Sequence, residues 1–122
     1  IGEFYSPHFD WFDRDSKYFK KQVSPHGGQR KYSVLIYLND VEEGGETEYP
    51  NLRNKNGEFG VKIKPETGKM LMHKNVENGR NLKESLHGGC PPISGEKWAL
   101  VIWIKENSIP PNIWPYDATE NY

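Results

Sequence analysis

Residues 31–38 read KYSVLIYL and residues 98–104 read WALVIWI. Both runs are rich in β-branched and aromatic residues and too short for an ordinary helix; Asn39-Asp40 stops the first. They read as the strongest strands of a β-fold. Outward from them, shorter runs of the same kind recur between turn residues. These are Phe4–Trp11, Glu46–Tyr49 (entered from Gly44-Gly45 and closed by Pro50), Phe59–Lys64, Lys69–His73 and Glu84–Gly88. Only Asp15–Gln22 suits a helical turn or two. Many short strands with Gly/Pro turns predict a sandwich or barrel.

Composition narrows the class. At 122 residues the chain holds one domain. Hydrophobic residues make up 34%, low for a thick helical core, while four Trp and seven Tyr supply buried area in a thin β-structure. Sixteen basic against seventeen acidic residues leave a net charge of -1, so there is no electrostatic footprint for nucleic acid. No apolar run is long enough to span a membrane. The single cysteine, Cys90, excludes an internal disulfide framework and leans toward a reducing compartment, without naming a location.

The four histidines are not equivalent. His8 and Asp10 sit two apart in an expected strand, so they share a face. His87 lies in a distant strand among small residues. Two imidazoles and a carboxylate are the set that non-haem Fe(II) oxygenases use, because three ligands on one face leave the other positions open. A structural zinc site would close its fourth position, typically with Cys, and Cys90 is only three residues from His87. Lys97 shares parity with Ala99, Val101 and Trp103, opposite to Trp98, Leu100, Ile102 and Ile104. If buried it needs an anionic partner, and a dicarboxylate would supply one.

With these residues placed, the sequence resembles the prolyl 4-hydroxylase branch of the 2-oxoglutarate/Fe(II) dioxygenases. The matching stretches are FYSPHFDWF (4–12), RKYSVLIYLNDVEEGGETEYP (30–50), PETGKMLMH (65–73) and SLHGGCPPISGEKWALVIWI (85–104). The resemblance implies a mainly β, double-stranded β-helix core (jelly-roll, cupin-like) over residues 1–106, with residues 107–122 an extended tail. It implies iron ligation by His8, Asp10 and His87, and Lys97 on the far carboxylate of 2-oxoglutarate. Thr47 and Trp103 match positions lining the co-substrate pocket; Tyr37 has the parity to face the same interior. Arg30 is a candidate peptide contact at the barrel mouth. The cofactor set so implied is Fe(II), 2-oxoglutarate, O2 and ascorbate. The implied reaction converts 2-oxoglutarate, O2 and an extended prolyl peptide to succinate, CO2 and a hydroxyprolyl peptide.

Several positions depart from the family pattern. The co-substrate Tyr that relatives place upstream of His-x-Asp would fall before Ile1, so the N-terminal helical part is expected to be missing. His73 stands where relatives usually carry an aromatic such as Phe, and is expected to be packed or exposed. Lys105 stands where collagen-type members often place a His. Cys90 is expected to be a buried filler, His26 a loop residue, and Lys17–Lys21 a solvated face. Two other readings stay open. One is a same-fold hydroxylase of another residue or a small molecule, decided by the loops Asp13–Gln29 and Asn51–Gly60. The other is a non-catalytic jelly-roll binding domain.

Overall fold

The computed structural model describes residues 2–108. The expected tail falls outside the described residues from position 109 onward. The β-expectation holds, with nine strands among the described residues: β1 (Tyr5–His8), β2 (Arg30–Tyr37), β3 (Thr47–Arg53), β4 (Phe59–Ile63), β5 (Met70–Lys74), β6 (Val76–Glu77), β7 (Arg80–Asn81), β8 (His87–Gly89) and β9 (Ala99–Lys105). One sheet has the order β1-β8-β3-β4 and a second β5-β2-β9; β6 and β7 form a separate hairpin. Every pairing is antiparallel.

Alternation in β2 decides how the sheets face each other. Ser33, Leu35 and Tyr37 point inward and oppose His73, Leu71, Val101, Trp103 and Ala99 across the sheet. The Tyr37 hydroxyl reaches Thr47 and the Tyr49 hydroxyl reaches His73, tying the inner faces together as a jelly roll requires. The opposite face of the second sheet carries Met70, Met72, Leu100, Ile102 and Ile104, each more than two-fifths exposed. The most apolar strand therefore contributes little to the core, which instead holds Val34, Tyr37, Val41 and Tyr49.

Several expected boundaries move. β1 ends at His8, so Asp10 lies in a bend beyond it rather than in the strand. Pro50 does not close β3: β8 pairs only Thr47 and Glu48, and the register with β4 shifts after Tyr49, so no ladder bond needs its missing N–H. The 84–88 stretch splits into a 3-10 turn (Lys83–Ser85) and β8, because Ser85 bonds back to the Leu82 carbonyl through both its N–H and its hydroxyl. The expected helix at Asp15–Gln22 starts later. It is a π-turn over Phe19–Val23 followed by a 3-10 turn, anchored by buried Phe19 and Val23. The β6–β7 hairpin was absent from the strand reading, although Asn78-Gly79, with φ of 49° and 74°, is a strong turn signal.

Gly44 fixes the approach to β3. At φ +77° a Cβ there would strike the Pro91 carbonyl and lie 2.8 Å from Ile93 N. Gly44→Ala is expected to lower stability by about 2–4 kcal/mol, through left-handed strain plus a backbone clash. Gly57→Ala, with φ +82° and open space around it, should lose only about 1 kcal/mol. Urea midpoints of the two variants check this; equal losses would contradict the clash.

Candidate metal centre

His8 and His87 are direct cross-strand partners in the β1–β8 pair, which brings their ring centroids to 4.5 Å. Asp10, in the bend beyond β1, turns back toward them: its Oδ1 is 3.7 Å from His8 Nε2 and its Oδ2 is 3.9 Å from His87 Nε2. One donor atom from each residue lies within 4.8 Å of the others. Each imidazole places Nδ1 2.8 Å from the backbone carbonyl two residues upstream, Ser6 for His8 and Ser85 for His87. A carbonyl can only accept, so each ring carries a proton on Nδ1 and turns its Nε2 toward Asp10.

The three side chains open on a cavity of about 470 Å³ between the sheets, which Thr47, His73 and Lys97 also line. Burial pushes the Asp10 carboxyl up. Hydrogen bonds from Ser33 and Trp103, with the charges of His87 and Arg30, outweigh that and hold it below its usual range. Burial also lowers His87, against the opposing pull of the Ser85 carbonyl and Asp10. His73 is depressed to about 4 by burial, then by His87.

These shifts set an acid limit. The buried His73 ring stays neutral in the fold down to about pH 4, whereas the unfolded chain takes up its proton once pH falls below about 6.5. Stability is whole above that pH and is lost progressively down to about 4. The metal-free protein is expected to lose about 1–3 kcal/mol across this window through His73, and His73→Phe should remove most of that loss. A denaturation midpoint that stays constant from pH 6.5 to 4 would contradict the buried neutral ring.

The remaining expected site residues divide. Thr47 and Lys97 line the cavity, although Lys97 precedes β9 by two residues. Lys97 makes no ion pair among the described residues; its Nζ lies 5.4 Å from the Tyr37 ring centroid, and burial lowers its pKa. Tyr37 faces inward but does not line the cavity. It is fully buried, and its hydroxyl donates to Thr47 Oγ1 at 2.6 Å, leaving the Thr47 proton free for a group in the cavity. Trp103 lines the cavity, with its indole N–H bonded to Asp10 Oδ2 at 3.1 Å. Arg30 stacks 3.6 Å over Trp103 and sits 3.5 Å from Asp10 Oδ1, so it is held at the carboxylate. Cys90 is half-buried rather than the fully buried filler expected. Lys105 Nζ donates to the His26 carbonyl.

Sequence reasoning missed Ser33, Tyr49 and Asn75. Ser33 was within reach, as an inward hydroxyl in an otherwise apolar run.

Comparison with known proteins agrees with this geometry. The 2OG-Fe(II) oxygenase superfamily matches residues 1–105. Among curated proteins of Arabidopsis thaliana, the chain is 38% identical over 119 residues to probable prolyl 4-hydroxylase 6, covering 88% of this chain and 39% of that protein. It is 38% identical over 117 residues to prolyl 4-hydroxylase 13, covering 88% and 40%. The chain therefore spans about two-fifths of the length of these relatives. The crystal structure of a viral collagen prolyl hydroxylase from Paramecium Bursaria Chlorella virus-1, in complex with 2OG, superposes with a TM-score of 0.61. Identity to it is 32%, and the match covers 85% of this chain and 52% of that one. Fold, donor geometry and the extent of the family match converge, and the chain belongs to the 2OG-Fe(II) oxygenase superfamily.

Proposed function

We propose that this chain carries the metal and co-substrate site of a peptidyl-proline 4-hydroxylase. One observation supports it above others. Two imidazoles, each tied through Nδ1, and one carboxylate converge on a cavity that also holds a lysine without an ion pair among the described residues. This donor set suits Fe(II) with open coordination positions, and the lysine suits a dicarboxylate.

In this reading His8, Asp10 and His87 hold the iron. Lys97 binds the far carboxylate of 2-oxoglutarate by a charge-assisted hydrogen bond, helped by the Thr47 hydroxyl. Tyr37 acts behind Thr47 by occupying its oxygen. When bound, iron supplies the oxidative chemistry that couples decarboxylation of the co-substrate to hydroxylation, with O2 consumed and ascorbate as external reductant. Leu35 and Val101 provide apolar wall that limits water at the site. Arg30, stacked on Trp103 beside Asp10, contacts the peptide. The relatives' names favour a proline-containing substrate, and an extended proline-rich segment arrives with little ordering left to do.

The test is succinate release from 2-oxoglutarate by the intact protein, with proline-rich peptides and proline-free controls. Iron-dependent succinate, matched by one added oxygen on a proline, is expected. Oxygen on another residue would shift the reading to a different hydroxylase; no metal-dependent turnover would leave a binding domain.

A further inference from the structure

Behind Asp10 lies a set of polar side chains that the proposed reaction does not use. Ser33 and Asn75 are 4% and 0% exposed, and His73 and Tyr49 continue the set toward the first sheet. Their protons can be assigned one by one. The Ser33 hydroxyl donates to Asp10 Oδ2, 2.5 Å away, so its single proton is committed there. The Ser33 oxygen must then accept, which fixes Asn75 with its amide N–H₂ toward Ser33 at 2.8 Å and its carbonyl oxygen turned away. At the other end, the phenol of Tyr49 meets His73 Nδ1 at 2.9 Å and has no other hydrogen-bond partner among the described residues. It donates there, which leaves the His73 proton on Nε2.

Two buried atoms are then left over, His73 Nε2 and Asn75 Oδ1. One is a donor and the other an acceptor. They belong to residues two apart, His73 in β5 and Asn75 one residue beyond its end, and Asn75 bonds Ser33, the cross-strand partner of His73. Neither atom has a hydrogen-bond partner among the described residues. We propose that the two bond to each other, joining the observed Tyr49–His73 and Asn75–Ser33–Asp10 bonds into one directed chain that positions the Asp10 carboxylate for metal. Every donor in it points toward Asp10, so each bond polarises the next. Ser33 and the Trp103 indole together occupy Oδ2, leaving Oδ1 as the oxygen offered to the cavity. Ser33, Asn75 and His73 are positioning residues in this scheme: none needs to touch metal or co-substrate. The inference rests on reading His8, Asp10 and His87 as metal ligands.

The test is Co(II) binding to the intact protein, followed by its visible absorption and by competition for affinity. Ser33→Ala, which deletes one oxygen, is expected to weaken Co(II) binding about 10–100-fold and to change the spectrum. Ser33→Thr should restore both. Asn75→Leu should give a similar loss, and the double variant Ser33→Ala/Asn75→Leu little more than either alone, because both break the same chain. Wild-type affinity in Ser33→Ala, or fully additive losses in the double variant, overturns the proposal. A wild-type protein that binds no Co(II) overturns the ligand reading and this inference together. Should Asn75→Leu not fold, the Ser33→Ala and Ser33→Thr pair decides alone.

Discussion

His87→Ala is expected to abolish specific metal binding, with affinity falling by more than about 100-fold. Changes one shell out from a metal already lose about 10–100-fold, and His87 is proposed as a ligand itself. Its ring is held from two sides: β8 sets it opposite His8, and the Ser85 carbonyl fixes its tautomer. Without it, His8 and Asp10 remain as a pair, and Arg30 lies 3.5 Å from the free carboxylate as a competing cation. The metal-free fold should be affected far less, since the lost Ser85 bond is worth about 1 kcal/mol. The two effects separate in one measurement, the denaturation midpoint with and without metal. At a metal concentration about 100-fold above Kd, the parent protein gains about 2.7 kcal/mol; the variant should gain almost nothing. Metal-dependent stabilisation that survives in His87→Ala would remove the His–Asp–His assignment.

How much of this was legible in the sequence follows from which interactions are local. The strands of KYSVLIYL and WALVIWI are written in composition and alternation, so their existence and inward faces could be read directly. Their ends could not. Pro50 stays in β3 because β8 is too short to need its N–H, a fact about a neighbouring strand. The turn before His87 depends on Ser85 bonding back to Leu82. The trio His8, Asp10 and His87 was legible because ligand chemistry restricts residue type, and the structure brings all three together even though Asp10 leaves the strand. Ser33, Asn75 and Tyr49 carry no such label. Their partners are set by the cross-strand register Ser33↔His73 and by the packing of one sheet on the other. Tyr37 shows the same limit from the other side: parity placed it inward, and only the bond to Thr47 shows that it stands behind the cavity wall.

Lys97→Met should move ligand-free stability and co-substrate affinity in opposite directions. In the ligand-free protein the ammonium is part-buried with no ion pair among the described residues, and burial already lowers its pKa. Met keeps the apolar stem and removes the charge, so the fold should be unchanged or slightly more stable. A carboxylate bound at Lys97 loses a charge-assisted hydrogen bond worth about 1.5–3 kcal/mol, or about 10–150-fold in affinity for 2-oxoglutarate. KM for the co-substrate should rise by that factor, while kcat at saturation changes less, because Lys97 is placed away from the reacting atoms. Arg should not rescue, since its planar fork needs space that a lysine stem does not. The pH dependence carries its own sign. Below the lowered pKa the ammonium is already charged and affinity is flat; as pH rises through it, binding must first restore the proton and affinity falls. In Lys97→Met that alkaline fall should be absent. Unchanged affinity for 2-oxoglutarate in the variant would place the far carboxylate elsewhere, with Arg30 as the remaining cavity-lining cation to test among the described residues.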